Sequence, residues 1–174
     1  MSRPEDRFRH EPKARPGDIF LFHRAQGLNR VITWFTRSRY YHVAIFAGGY
    51  EVIEARPRGV VRRDLRGKEG AHHYIVLPQS ESAGMNALAW AESKIGDRYD
   101  HLDIFVIVAE RVFRHLRINY TARNKFTCGK FIACAFSETG ADLFPGRSTA
   151  GIVPANFAHF VIRGNASPAL ESPP

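Results

Sequence analysis

Apolar residues fall along this chain in two rhythms, short strand-length runs first and helically spaced positions later. Gly17-Asp18 punctuates the start of Ile19-Phe20-Leu21-Phe22-His23, a first strand. Leu28, Val31, Ile32 and Phe35 then follow helical spacing and predict a short amphipathic helix. Two further strand-like runs, 41–46 and 50–55, meet around Gly48-Gly49, a strong hairpin signal. Segments 60–65 and 74–77 read as additional strands. The pattern then changes: 85–95 and 102–116 carry helical spacing, with Phe105, Val108, Val112 and Leu116 on one face. A third helix is predicted from Cys128 to Thr139, stopping at Gly140, a residue type that ends helices. Segment 157–162 reads as a last strand. Strands gathered early and helices gathered late predict an α+β fold, with helices packed on an antiparallel sheet.

The two ends differ from this body. Residues 1–15 are charged and contain Pro4 and Pro12, so they read as a flexible arm. Residues 164–174, rich in Pro, Ser and Ala, read as a disordered tail. One domain over 16–163 remains, as a chain of 174 residues leads one to expect. With 44% hydrophobic and 24% charged residues the composition is that of a globular protein. No run approaches the roughly 20 apolar residues that span a bilayer; the most apolar, 104–109, ends at Glu110-Arg111. The start, Met1-Ser2-Arg3-Pro4-Glu5-Asp6-Arg7, lacks the apolar core of a signal peptide, so a cytoplasmic location is expected.

Net charge is +8, mostly from arginine. Such a surface could meet anionic headgroups or an acidic polymer. The charges are dispersed over the N-terminal arm, 56–66 and 111–117, and no aromatic-basic motif accompanies them, so no specific nucleic-acid partner is expected.

Candidate chemistry centres on Cys128, at the start of the third helix. A helix N-terminus presents unpaired N–H groups and positive dipole, which favour thiolate over thiol. His42 opens the second strand and is the natural partner for such a group. Such a histidine needs a polar residue to orient its ring, and the hairpin offers Glu54. An odd-membered loop centred on Gly48 would set His42 opposite Glu54 on one sheet face. A two-residue Gly48-Gly49 turn would pair His42 with Ala55 and send Glu54 to the other face. A functional triad therefore demands a three- or five-residue loop. The other cysteine, Cys134, lies six residues on, at about 100° per residue on roughly the opposite helix face, too far round for a disulfide with Cys128. It reads as a small core residue. No Cys/His spacing resembles a metal site and no cofactor is indicated.

In order along the chain, Gly17-Asp18-Ile19-Phe20-Leu21-Phe22, Tyr41-His42-Val43-Ala44-Ile45, Val52-Ile53-Glu54-Ala55, Gly59-Val60-Val61, Gly96-Asp97-Arg98-Tyr99-Asp100 and Thr127-Cys128 resemble the circularly permuted branch of the NlpC-type papain-like superfamily. Within that branch the chain resembles the YiiX-like permuted amidases. The resemblance covers roughly 15–163. Its main mark is order: ordinary NlpC-type peptidases place cysteine before histidine, and here histidine comes first. The resemblance implies a permuted papain-like fold, with Cys128 as nucleophile, His42 as base and Glu54 as its orienting residue. It further implies that Tyr99 helps hold the oxyanion beside the Cys128 backbone N–H. The implied activity is thiol-dependent amide hydrolysis through a thioester, on cell-wall peptide or N-acyl and lipid amides. Lecithin:retinol acyltransferase relatives share the permuted order and are an alternative, although they usually carry a second histidine where Glu54 stands. A non-catalytic binding module is a further alternative.

The chain departs from the resemblance just after the nucleophile, where many members have Ser and this one has Gly129-Lys130. Lys130 could favour the thiolate, contact an acidic substrate or face solvent. Tyr41 and the aromatic residues before it could wall a substrate site or pack in the core. His23, at the end of the first strand, is the best of the remaining histidines for lining a site.

Overall fold

The computed structural model describes residues 14–23, 38–66, 72–75, 80–113, 115, 118, 124–158, 160 and 166–167. The expected helix around Leu28 to Phe35 and most of the N-terminal arm lie outside these residues.

A meander of four strands, β1 (Ile19–His23), β2 (Tyr40–Gly48), β3 (Glu51–Arg56) and β4 (Gly59–Asp64), forms the body of the sheet. β5 (His72–Ile75) pairs with the free side of β1. The short β8 (Ala166–Ser167) extends it, giving the order β4-β3-β2-β1-β5-β8 with every pairing antiparallel. The alternation in β1 shows why a sheet forms here. Ile19 and Leu21 enter one apolar cluster, while Phe20 and Phe22 enter another on the opposite face. Both faces are covered, so the run reads as continuously apolar.

Helices α1 (Glu81–Ser93), α2 (His101–Val112) and α3 (Cys128–Ser137) follow the meander, confirming the α+β class. α3 packs against β2, β3 and α1. It is buried almost all round, with Phe131, Ile132, Ala135 and Phe136 at 0% exposure, which is the signature of a central helix rather than a surface one. Each of the Phe and Ile side chains contributes about 1.5–3 kcal/mol by leaving water. Gly140, at φ +82°, turns the chain away after the helix end.

Two expectations are corrected, and one strand pair is new. The described residues of segment 157–162 are not in a strand: Pro154 opens a 3-10 turn over Pro154–Phe157, and Ala158 and Phe160 are in helical conformation. Proline preset at the start of a turn outweighs the strand propensity of the following aromatics. The C-terminal tail is not wholly without structure, since Ala166–Ser167 pairs with Tyr74 and Ile75. Finally, a parallel pair absent from the sequence reading, β6 (Arg98–Tyr99) with β7 (Lys125–Phe126), brings distant segments together directly before Cys128. Two residues per strand give no periodicity to read.

Candidate active site

Thr127 caps α3. Its backbone is extended, at φ −83° and ψ 165°, and its hydroxyl accepts from the Lys130 N–H at 3.4 Å. The cap fixes Cys128 as the first helical residue, with its thiol almost buried in the helix-side core. Gly129 matters for a different reason. A Cβ there would lie 2.1 Å from the Ile152 carbonyl oxygen, so only glycine lets segment 151–153 pass so near the helix start. The glycine that departs from the family resemblance is thus required by the packing of this chain.

The hairpin corrects the expected loop and still delivers the shared face. The strands close on a two-residue turn, Gly49-Tyr50, inside the Gly48–Glu51 pair, and not on the expected three- or five-residue loop. Ala47 is a bulged residue in β2, and beyond it Phe46 pairs with Val52 and Ile45 with Ile53, the register an odd-membered loop about Gly49 would have given. Both Gly48 and Gly49 have positive φ, +99° and +59°, which is why glycines stand there. Carrying this register on by one pair sets Glu54 opposite Ala44, with His42 two residues further along on the same face. His42 therefore reaches Glu54 diagonally: its Nε2 lies 2.6 Å from Glu54 Oε2.

A second irregularity lies at the other side of His42. Phe22 pairs with His42 but His23 pairs with Tyr40, so Tyr41 is an extra residue in β2. Bulges re-aim neighbouring side chains. Tyr40 consequently belongs to the helix-side cluster, Tyr41 to the opposite one, and His42 stands where the two meet. Its ring lies 5.5 Å from that of Phe22 and 6.3 Å from that of Tyr41, while Cys128 adjoins it from the helix side. With Nε2 engaged by Glu54, Nδ1 is the ring nitrogen left for the thiol.

Electrostatics follow from this placing. Burial pushes the His42 pKa down, but the charge of Cys128 and hydrogen bonds to Cys128 and Glu54 outweigh it and raise the imidazole to about 9. Burial would raise Glu54. Instead its hydrogen bonds and attraction to His42 and Arg63 hold the carboxyl well below the usual carboxylate range. Glu54 is fully buried and multiply satisfied. Arg63 donates through Nε to Oε1 and through Nη2 to Oε2 at 2.9 Å, and Arg56 Nη1 donates to Oε1 at 3.2 Å.

The other candidates fall in different places. Tyr99 pairs with Phe126, two residues before Cys128, and its ring meets that of His101 at 5.0 Å. Tyr41 packs beside His42, and burial pushes its hydroxyl pKa up. His23 lies one pair beyond His42, edge-on to Tyr40 at 6.5 Å. Lys130 is corrected: it neither faces solvent nor stands open to substrate. Its side chain is 4% exposed, and its ammonium lies 3.3 Å from the buried Asp100 carboxylate. The helix is buried on that side too, so the chain turns inward to meet a carboxylate. Cys134 is partly buried and donates to Thr149 Oγ1 at 3.4 Å, and burial raises its thiol pKa. Among the described residues no cluster of three or more His, Cys, Asp or Glu could hold a metal ion.

Arg63 was missed by the sequence reading, and Asp100 and Thr127 stood there only within motifs, with no role assigned. A signal for Arg63 existed. The two-residue turn Pro57-Arg58 pairs Arg56 with Gly59, which sets Val52 against Arg63 and puts Arg63 on the Glu54 face. No protein-family model and no curated protein matches this chain.

Proposed function

We propose that this protein is a thiol-dependent amide hydrolase of the permuted papain-like type, working through Cys128, His42 and Glu54. The observation that carries the reading is the His42 ring held between a buried carboxylate, 2.6 Å from Nε2, and the thiol at a capped helix start. Two bulges and a helix cap converge on that ring, and a merely structural histidine needs none of them.

In this reading Cys128 Sγ attacks the amide carbonyl carbon, and the carbonyl oxygen takes up negative charge. The Cys128 backbone N–H and the Tyr99 hydroxyl steady it. His42, protonated near neutral pH, gives its proton to the leaving amine as the C–N bond breaks, leaving a thioester. The neutral ring then takes one proton from water, whose hydroxyl attacks the thioester and releases the acid and the Cys128 thiolate, so that the protonated ring is restored. Glu54 keeps the ring oriented throughout. A carboxylate in this third position favours the amidase branch over lipid acyl transfer. The substrates in view are peptide amides of cell-wall type and N-acyl or lipid amides.

Iodoacetamide labelling with site-resolved mass spectrometry, followed by a panel of peptide and lipid amides, tests the proposal. Cys128 is expected to alkylate rapidly near neutral pH and Cys134 slowly, His42→Ala to slow Cys128, and Cys128→Ala to abolish turnover. Equal, slow labelling of both thiols would sink the activated nucleophile.

A further inference from the structure

Arg63 is the most elaborately held side chain near the candidate site that the proposed mechanism does not use. It projects from β4 on the Glu54 face and grips the carboxylate at both oxygens through Nε and Nη2. Its guanidinium lies over the Phe22 ring, 5.5 Å from the centroid, and Phe22 in turn stands 5.5 Å from the His42 ring. The side chain is 16% exposed. Arg56 meets the same carboxylate by a single 3.2 Å bond and is 45% exposed. Glu54 thus has one cation locked in a two-bond fork on an aromatic shelf and another resting at its edge.

We infer that Arg63 is a positioning residue of the triad, fixing the plane of the Glu54 carboxylate so that Oε2 points at His42 Nε2; the inference rests on the hydrolase reading above. A carboxylate held by one bond rotates about its terminal torsion, which is broad and has no sharply preferred angle. The planar guanidinium fork removes that freedom, because two parallel N–H donors fit only one carboxylate orientation. With the fork in place, one oxygen is shared by Arg56 and Arg63, and the other by Arg63 and His42. The ring is then held from two sides, through Glu54 and through Phe22. Lysine would supply the charge but not the fork.

The test compares Arg63→Lys and Arg56→Lys with the full-length wild type. The readouts are the iodoacetamide labelling rate of Cys128 across pH, the NMR titration midpoint of His42, and the urea midpoint. Arg63→Lys is expected to slow Cys128 labelling roughly tenfold to a hundredfold and to lower the His42 midpoint, and Arg56→Lys, which gives up only a single bond at the edge, to change both far less. Arg63→Ala serves as second variant: added guanidinium ion should restore labelling, and ammonium ion should not. Wild-type behaviour of Arg63→Lys, equal effects of both lysine variants, or equal rescue by ammonium would reduce Arg63 to a counter-charge and overturn the proposal. Failure of the underlying reading looks different. There the wild type itself labels Cys128 no faster than Cys134, and His42→Ala changes nothing.

Discussion

His42 shows how much one residue depends on its surroundings. Alone, an imidazole titrates near 6.5. Here the charge of Cys128, with hydrogen bonds to it and to a buried carboxylate, raises the ring pKa to about 9. Removing the thiol in Cys128→Ala should therefore lower the His42 midpoint, read by NMR; an unchanged midpoint would mean the two groups do not interact. Glu54 provides the companion prediction. Its folded pKa is depressed, so its ionisation contributes stability that is present above pH 4.5 and lost as pH falls through the folded value. Urea midpoints from pH 5 down to about 2 should fall more steeply for the wild type than for Glu54→Gln, which has no such proton to bind. Neither effect is visible in the residue types. A glutamate in a strand is by default a surface charge, and only register and burial made this one the hub of two arginines and a histidine.

At the scale of elements, the start of α3 is set by a cap and a close approach. Thr127→Ala should cost about 1 kcal/mol, the usual loss for an N-cap hydroxyl. Gly129→Ser should cost more, about 1–3 kcal/mol, because its Cβ meets a backbone carbonyl that cannot swing aside. Urea unfolding of the two variants gives the order directly. If Gly129→Ser were as stable as wild type, the 151–153 segment would not be seated against the helix as described. The elements themselves were largely legible. β1 was read at its observed ends, and β2, β3, β4, α1 and α3 were found within a few residues, because long apolar runs and glycine turns carry their own signal. The bulges at Ala47 and Tyr41 were not legible, since an extra residue in a ladder leaves no mark in an otherwise apolar run.

Across the whole molecule, segments far apart in sequence meet at the base of α3. Asp100, between β6 and α2, and Lys130, in α3, form a pair that is nearly dry on both sides. It ties the segment between β6 and α2 to the helix that carries Cys128. Lys130→Met should cost about 3–5 kcal/mol by leaving the Asp100 carboxylate without its ammonium. The double variant with Asp100→Asn should cost less than the sum of the single ones. Strict additivity in such a cycle would show that the two side chains do not stabilise each other. No helix among the described residues is long and apolar enough to cross a membrane.

Cys128 at a helix start, His42 in a strand, Glu54 after a glycine turn and an α+β order of elements were all determined by the sequence itself. Each depends on local propensity, turn chemistry and apolar spacing, which act over a few residues. Tertiary structure decided the rest: that a bulge at Ala47 offsets the two-residue Gly49-Tyr50 turn, that His42 turns at a bulge to meet both Glu54 and Cys128, and that Arg63 clamps the carboxylate. It also decided that Lys130 points inward. These depend on strand register and on contacts between residues far apart in the chain. A shift of one residue in register reverses the face of every side chain without changing any local preference.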